Sequence, residues 1–160
     1  MKQGTTLFLK IAVILIGIPV LALCIFLVPK IGNFSEELYP DIAYIKSLVL
    51  IDMYTAAIPF YCALYQAFKL LSYIDKNQAF SELSVKALKN IKYCSITISA
   101  LYLLGMPLYY LMAKKVAPPS FIPIGLIIIF ASMVIAVFAA VLQKLLKEAI
   151  DIKSENDLTV

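Results

Sequence analysis

The chain has 160 residues, 62% of them hydrophobic, with mean hydropathy +0.93 and a net charge of +4. A soluble domain of this length cannot bury so much apolar surface, so lipid is the solvent for most of it, and one helical bundle uses up the length. There is no histidine and no arginine. The commonest metal ligand and general acid/base is therefore missing.

The first apolar run covers 7–28, about the 20 residues a helix needs to cross ~30 Å of hydrocarbon. Lys2, the apolar run and Leu21-Ala22-Leu23-Cys24 imitate a lipoprotein signal. A bulky Leu23 stands where cleavage wants a small residue, and the run continues to span length, so it reads as a retained first helix. An acidic loop over 30–42 follows, with Glu36, Glu37 and Asp41.

The second span, 47–68, contains Asp52. An ionisable group inside a span is expensive and a functional candidate by default. Ala56, Pro59, Ala63 and Gln66 share its face, which turns Asp52 towards the bundle interior. Two readings stay open: a proton or cation site at Asp52, with Gln66 as a further candidate on its face, or a structural role, as a partner for Lys46, a tyrosine hydroxyl or a freed backbone group, or through simple proximity to the outer interface.

Residues 73–92 form a connection on the same side as the termini. Ser81 has the chemistry of an N-cap, with Phe80 and Val85 placed as a hydrophobic staple. Leu83, Ala87, Leu88 and Ile91 then share one face, with Lys86, Lys89 and Lys92 on another. This spacing predicts a basic amphipathic helix at the membrane surface, leading into the third span, 93–113. It serves either as a lipid anchor or as a docking surface.

Residues 114–120, with Pro118-Pro119, make a tight turn into the fourth span, 121–142. Ser132, Ala136 and Ala140 are small residues at four-residue spacing, suited to close helix packing within the chain or across a homodimer. Leu142, Leu145, Leu146, Ala149 and Ile150 keep helical spacing into the 143–160 tail. Prolines 19, 59, 107 and 123 sit in or near the spans. Kinks are expected at the first three, while Pro123 falls in a first turn, where it costs little. Tyr39, Tyr44, Tyr73, Tyr93, Tyr109 and Tyr110 are placed as an interfacial aromatic belt.

With both termini inside, ten lysines face the cytoplasm and only Lys30, Lys46, Lys114 and Lys115 face outward. That bias orients the protein with both termini cytoplasmic and makes anionic headgroups, rather than nucleic acid, the partner of the positive charge. Cys24, Cys62 and Cys94 read as small packing residues. Phosphate-binding glycine loops, zinc spacings and nucleophile elbows are absent. The expectation is therefore one all-α, four-span integral membrane domain over 1–160, a non-enzymatic bacterial cell-membrane protein without catalytic residue, metal or cofactor.

The segment Asp75-Lys76-Asn77-Gln78-Ala79-Phe80-Ser81, then Ala87-Leu88-Lys89-Asn90-Ile91-Lys92-Tyr93, resembles the bacterial membrane-protein family catalogued as domain of unknown function 2975, Bacillus-type members in particular. Four spans in about 160 residues extend the resemblance over nearly the whole chain. The resemblance carries over no catalytic residue. It implies a neighbouring gene for a small helix-turn-helix DNA-binding protein, and hence a membrane protein that holds or controls a cytoplasmic regulator. Phe80, Leu83, Lys86, Leu88, Lys89, Ile91, Leu145, Leu146 and Ile150 are the candidate docking residues. The alternatives are a small transporter or immunity-type protein using Asp52, and an assembly subunit of a membrane complex.

Overall fold

A computed structural model describes residues 3–116 and 121–159. Among these, the regular structure is entirely helical: α1 (Gln3–Ala22), a π-helical segment (Leu23–Leu27), α2 (Val28–Leu38), α3 (Ile45–Asp75), α4 (Glu82–Lys114) and α5 (Phe121–Thr159). The first three run on as a single rod. The result is four rods long and apolar enough to cross a membrane. The Pro118-Pro119 turn lies outside the described residues.

Each rod overshoots the apolar run that predicts it. The first continues through 29–38, so the loop expected over 30–42 shrinks to residues 39–44. The reason is a stripe of Val28, Gly32 and Ser35, buried at helical spacing. Gly32 brings the backbone close to α3, since a Cβ there would lie 3.0 Å from a Leu50 methyl. The rod stops at Tyr39, whose backbone leaves the helical region ahead of Pro40 (φ −133°, ψ 69°), because a residue before proline disfavours the helical region.

α3 ends in a Schellman turn. Asn77 adopts φ 60°, its N–H donates to the Ile74 carbonyl at 3.2 Å, and the Gln78 N–H reaches back to Tyr73 at 2.7 Å. Asparagine tolerates this left-handed position better than most residues. Ser81 occupies the N-cap position of α4 with extended backbone, as expected. Its hydroxyl nevertheless donates to the Gln78 carbonyl at 2.5 Å instead of capping α4. Phe80, expected to pack back on Val85, is more than half exposed, whereas Val85 is buried.

The 82–92 segment is the first third of one uninterrupted 33-residue helix and not a separate element. Its buried stripe of Ser84, Val85, Leu88 and Ser95 continues directly into Ile98, Ser99, Gly105, Tyr109 and Met112. One continuous packing face holds one continuous helix, and that corrects the expectation of a surface-lying helix ahead of span three.

Helix packing follows chain order. α1 and α2 lie on α3, α3 lies on α4, and α4 lies on α5. The first and last rods meet where Phe34 stacks on Phe121, ring centres 6.2 Å apart. Ile45, Val49, Tyr109 and Met112 form the best-buried core, close to the face carrying residues 39–44. An even number of crossings brings both termini to the opposite face, called here the terminal face.

Small residues set the α4–α5 distance. Gly125, Ser132, Ala136 and Ala139 of α5 are buried, and the Ser99 hydroxyl donates to the Ile129 carbonyl at 3.0 Å. Of the small residues expected at a seam, Ser132 and Ala136 are buried within the chain. Ala139 takes the inner place expected for Ala140, which is only half-buried. Elsewhere the rods display large apolar side chains, among them Phe8, Leu15, Ile58, Leu104, Phe130 and Phe138. In water such a surface would be untenable, and in hydrocarbon it costs nothing.

Candidate functional site

The polar groups within the spans form three separate arrangements. The first surrounds Asp52. Its Oδ2 accepts a hydrogen bond of 2.5 Å from the Tyr109 hydroxyl, joining α3 to α4. Tyr102, two turns earlier in α4, stacks on Tyr109 with ring centres 6.2 Å apart. Gly105 faces the carboxylate so closely that a Cβ there would lie 2.5 Å from Oδ2 and 2.8 Å from the carboxyl carbon. Asp52 therefore sits in a notch that only glycine leaves open. A hydrogen bond to an ionised acceptor is short and strong, and it offsets part of the cost of a carboxylate at membrane depth.

This geometry selects among the partners expected for Asp52. The tyrosine is the partner. Lys46 instead lies 3.7 Å from Glu36 near the end of α2. Tyr109, expected in the aromatic belt, is buried, while Tyr44, Tyr93 and Tyr110 are mostly exposed as a belt requires. Gln66 is fourteen residues further along α3, about 21 Å along the axis. Asp52 and Gln66 are consequently not parts of one site.

The second arrangement lies at the terminal face. Lys10 Nζ donates to Asp75 Oδ2 at 2.7 Å, and the Thr6 hydroxyl donates to Asp75 Oδ1. The Lys10 ammonium also lies 5.4 Å from the centre of the Phe68 ring. One carboxylate at the end of α3 thus clamps two successive turns of α1. In the sequence, Lys10 counts only among the charges on the inner side. The available signal was a lysine placed three residues into an apolar run, one position that needs a partner.

The third arrangement is a set of tyrosine hydroxyls that bond carbonyls across helices. Tyr54 donates to the Cys24 carbonyl at 2.8 Å, Tyr61 to that of Gly17 at 2.7 Å, and Tyr39 to that of Leu111. The Cys24 contact has a clear cause. In the π register the Val28 N–H bonds Leu23, and the next N–H would serve Cys24. That next residue is Pro29, which has none. A tyrosine from the adjacent helix supplies the missing donor, as membrane proteins require of freed carbonyls.

Lys114 and Lys115, the pair that opposed the lysine bias, are structurally engaged. Lys115 donates to the Leu38 carbonyl at 2.6 Å and lies 4.0 Å from the Tyr39 ring centre. Lys114 lies 4.8 Å from the Tyr110 ring. Lys115 thus ties the end of α4 to the end of α2, while Lys114 contacts a ring of its own helix.

The candidate docking residues divide. Leu88 is buried, and Ile91, Leu146 and Ile150 are half-buried, because the helix packing already uses them. Phe80, Leu83, Lys86, Lys89 and Leu145 are exposed. Every side chain over 151–158 is exposed, since α5 runs past the packed rods. Ile152 belongs to this exposed stretch and carries no signal in the sequence, because a single apolar residue in a charged tail reads as solvated chain.

No solved structure matches this chain. It is 74% identical over 160 residues, all of both chains, to the "Uncharacterized membrane protein YoaS" of Bacillus subtilis (strain 168). The family model described as "Protein of unknown function (DUF2975)" matches residues 30–160, everything beyond the first apolar run. With four candidate spans, a uniformly helical fold and this match, the chain is a multi-pass membrane protein that belongs to the DUF2975 family.

Proposed function

We propose that the chain is a non-enzymatic, membrane-embedded regulatory partner that holds a small cytoplasmic helix-turn-helix protein at the inner surface. The observation that carries this reading is the exposed end of α5. From Leu142 to Thr159 the helix rises about 25 Å, and its last eight described side chains are uncovered. Leu145 and Ile152, seven residues apart on one face, are 54% and 60% exposed and flanked by Lys144, Lys147, Glu148, Asp151 and Lys153. An apolar stripe bordered by charge on a rigid helix fits a groove in a soluble partner. The lysine bias supports placing this arm in the cytoplasm.

Asp52 lends less to the transporter alternative, because Tyr109 and Gly105 occupy its carboxylate. The test is co-purification of the tagged protein from its native membrane, with bound proteins identified by mass spectrometry. A small DNA-binding protein is expected, and Leu145→Asp with Ile152→Asp should release it. These positions are chosen over Leu88, whose substitution would disturb the fold itself. Unchanged recovery of the same partner by the double variant defeats the proposal.

A further inference from the structure

A groove runs along the seam between the first rod and α3. Its upper part, about 790 Å³, is lined by Cys24, Ile25, Tyr54, Ala57, Ile58 and Gln66 among others. Its lower part, about 350 Å³, continues past Val13, Ile14, Leu64 and Phe68. Leu21, Tyr61 and Tyr65 belong to both parts, so the two are one channel along the helices. From Tyr54 to Phe68 it rises about 21 Å, more than the ~15 Å of hydrocarbon in one leaflet.

The groove persists because tyrosines hold its walls apart. Tyr54 and Tyr61 reach across the seam to carbonyls of the first rod instead of letting aliphatic side chains close it. With those two hydroxyls already bonded, the wall is almost wholly apolar. Its occupant at this depth is a hydrocarbon chain.

The lower end carries charge. Lys69 follows Phe68 directly, and its ammonium lies 5.5 Å from the centre of the Tyr65 ring that lines the groove. Lys10, at the same level, is neutralised by Asp75. Among the described residues, no carboxylate lies within ion-pair distance of Lys69. An apolar channel that opens beside one uncompensated cation has the chemistry of an anionic phospholipid: acyl chain above, phosphate below.

We propose that this groove is a binding site for one anionic phospholipid, with an acyl chain along Leu21, Ile58 and Tyr61 and its phosphate at Lys69. The site is independent of the α5 arm and of any cytoplasmic partner. Because the first rod touches the other helices mainly through α3, a lipid seated in the seam completes the packing of that rod.

The test is native mass spectrometry of the full chain in detergent, offered dioleoyl phosphatidylglycerol or dioleoyl phosphatidylcholine. One tightly retained phosphatidylglycerol per chain is expected, preferred about fivefold, which corresponds to about 1 kcal/mol for one lysine beside an anionic headgroup. Lys69→Gln should abolish the preference while leaving some retention of both lipids. Ala57→Phe, which fills the channel, should lower retention of both. Equal retention of the two lipids by the unaltered chain overturns the proposal. So does an undiminished preference in a folded Lys69→Gln variant, or a lipid-free dimer whose Cys62 is shielded from maleimide.

Discussion

Replacing Gly105 with alanine tests the notch around Asp52. In most helices this change stabilises by about 1 kcal/mol, because alanine is the better helix former. Here the new Cβ would lie 2.5 Å from Asp52 Oδ2, well inside contact distance. The carboxylate has only two side-chain torsions, and one of its oxygens is tied to Tyr109 at 2.5 Å. Moving it far enough weakens that bond. Overpacking costs about 1–3 kcal/mol, and an interhelical hydrogen bond within a membrane is worth about 0.6 kcal/mol on average and 1.7 at most. Against the helix-propensity gain, the net expectation is a loss of about 2 kcal/mol. The assay is SDS-titrated unfolding in detergent micelles, run as a double-mutant cycle with Asp52→Ala. Without the carboxylate, alanine at 105 should be neutral or stabilising by up to about 1 kcal/mol, which leaves a coupling of about 2–3 kcal/mol between the sites. A Gly105→Ala protein as stable as the parent refutes the reasoning. So do losses that simply add.

Tyr54→Phe removes the donor that replaces the missing Pro29 N–H, and should cost about 0.6–1.7 kcal/mol by the same unfolding assay. Tyr109→Phe should cost a similar amount or more, since it strands a carboxylate at membrane depth. Leu88→Asp should abolish folded protein on size-exclusion chromatography, because it buries a charge without a partner. Leu145→Asp, on an exposed face, should change stability by less than about 0.5 kcal/mol. Lys10→Gln and Asp75→Asn should each loosen the first rod and speed maleimide labelling of Cys24 in the seam, with the double variant little faster than either single. Additive acceleration would mean that the two residues do not act as a pair. Ala136→Leu should destabilise by about 1–3 kcal/mol through the α4–α5 seam, and an unaffected protein would place that seam elsewhere.

Apolar runs of span length, separated by charged or proline-rich stretches, were enough to identify four membrane helices, because insertion into lipid depends on local composition. The small-residue face of α5 was equally local in its chemistry. Other features depend on what a segment meets in space. α2 and α4 extend past their apolar runs because buried stripes, such as Val28–Gly32–Ser35, continue beyond the hydrophobic windows, whereas the extension of α5 was already legible in the helical spacing of its tail, whose last side chains are exposed. Leu88 and Ile91 form an amphipathic face in sequence. Whether that face meets a partner or a neighbouring helix is a tertiary matter, and α4 spends Leu88 on its own packing.

The pairing of polar groups shows the same division. Composition alone makes Asp52 and Lys10 costly within apolar runs, and so predicts that each has a partner. Tyr109 and Asp75 as those partners, 57 and 65 residues distant in sequence, follow only from the way α3 lies against its two neighbours. The groove beside α3 is likewise invisible in the sequence, since its walls come from two helices held apart by hydroxyl-to-carbonyl bonds. The solvent of each segment is a property of its own side chains. The partner of each buried polar group is a property of the packing, because a short-range interaction exists only where the fold brings both atoms together.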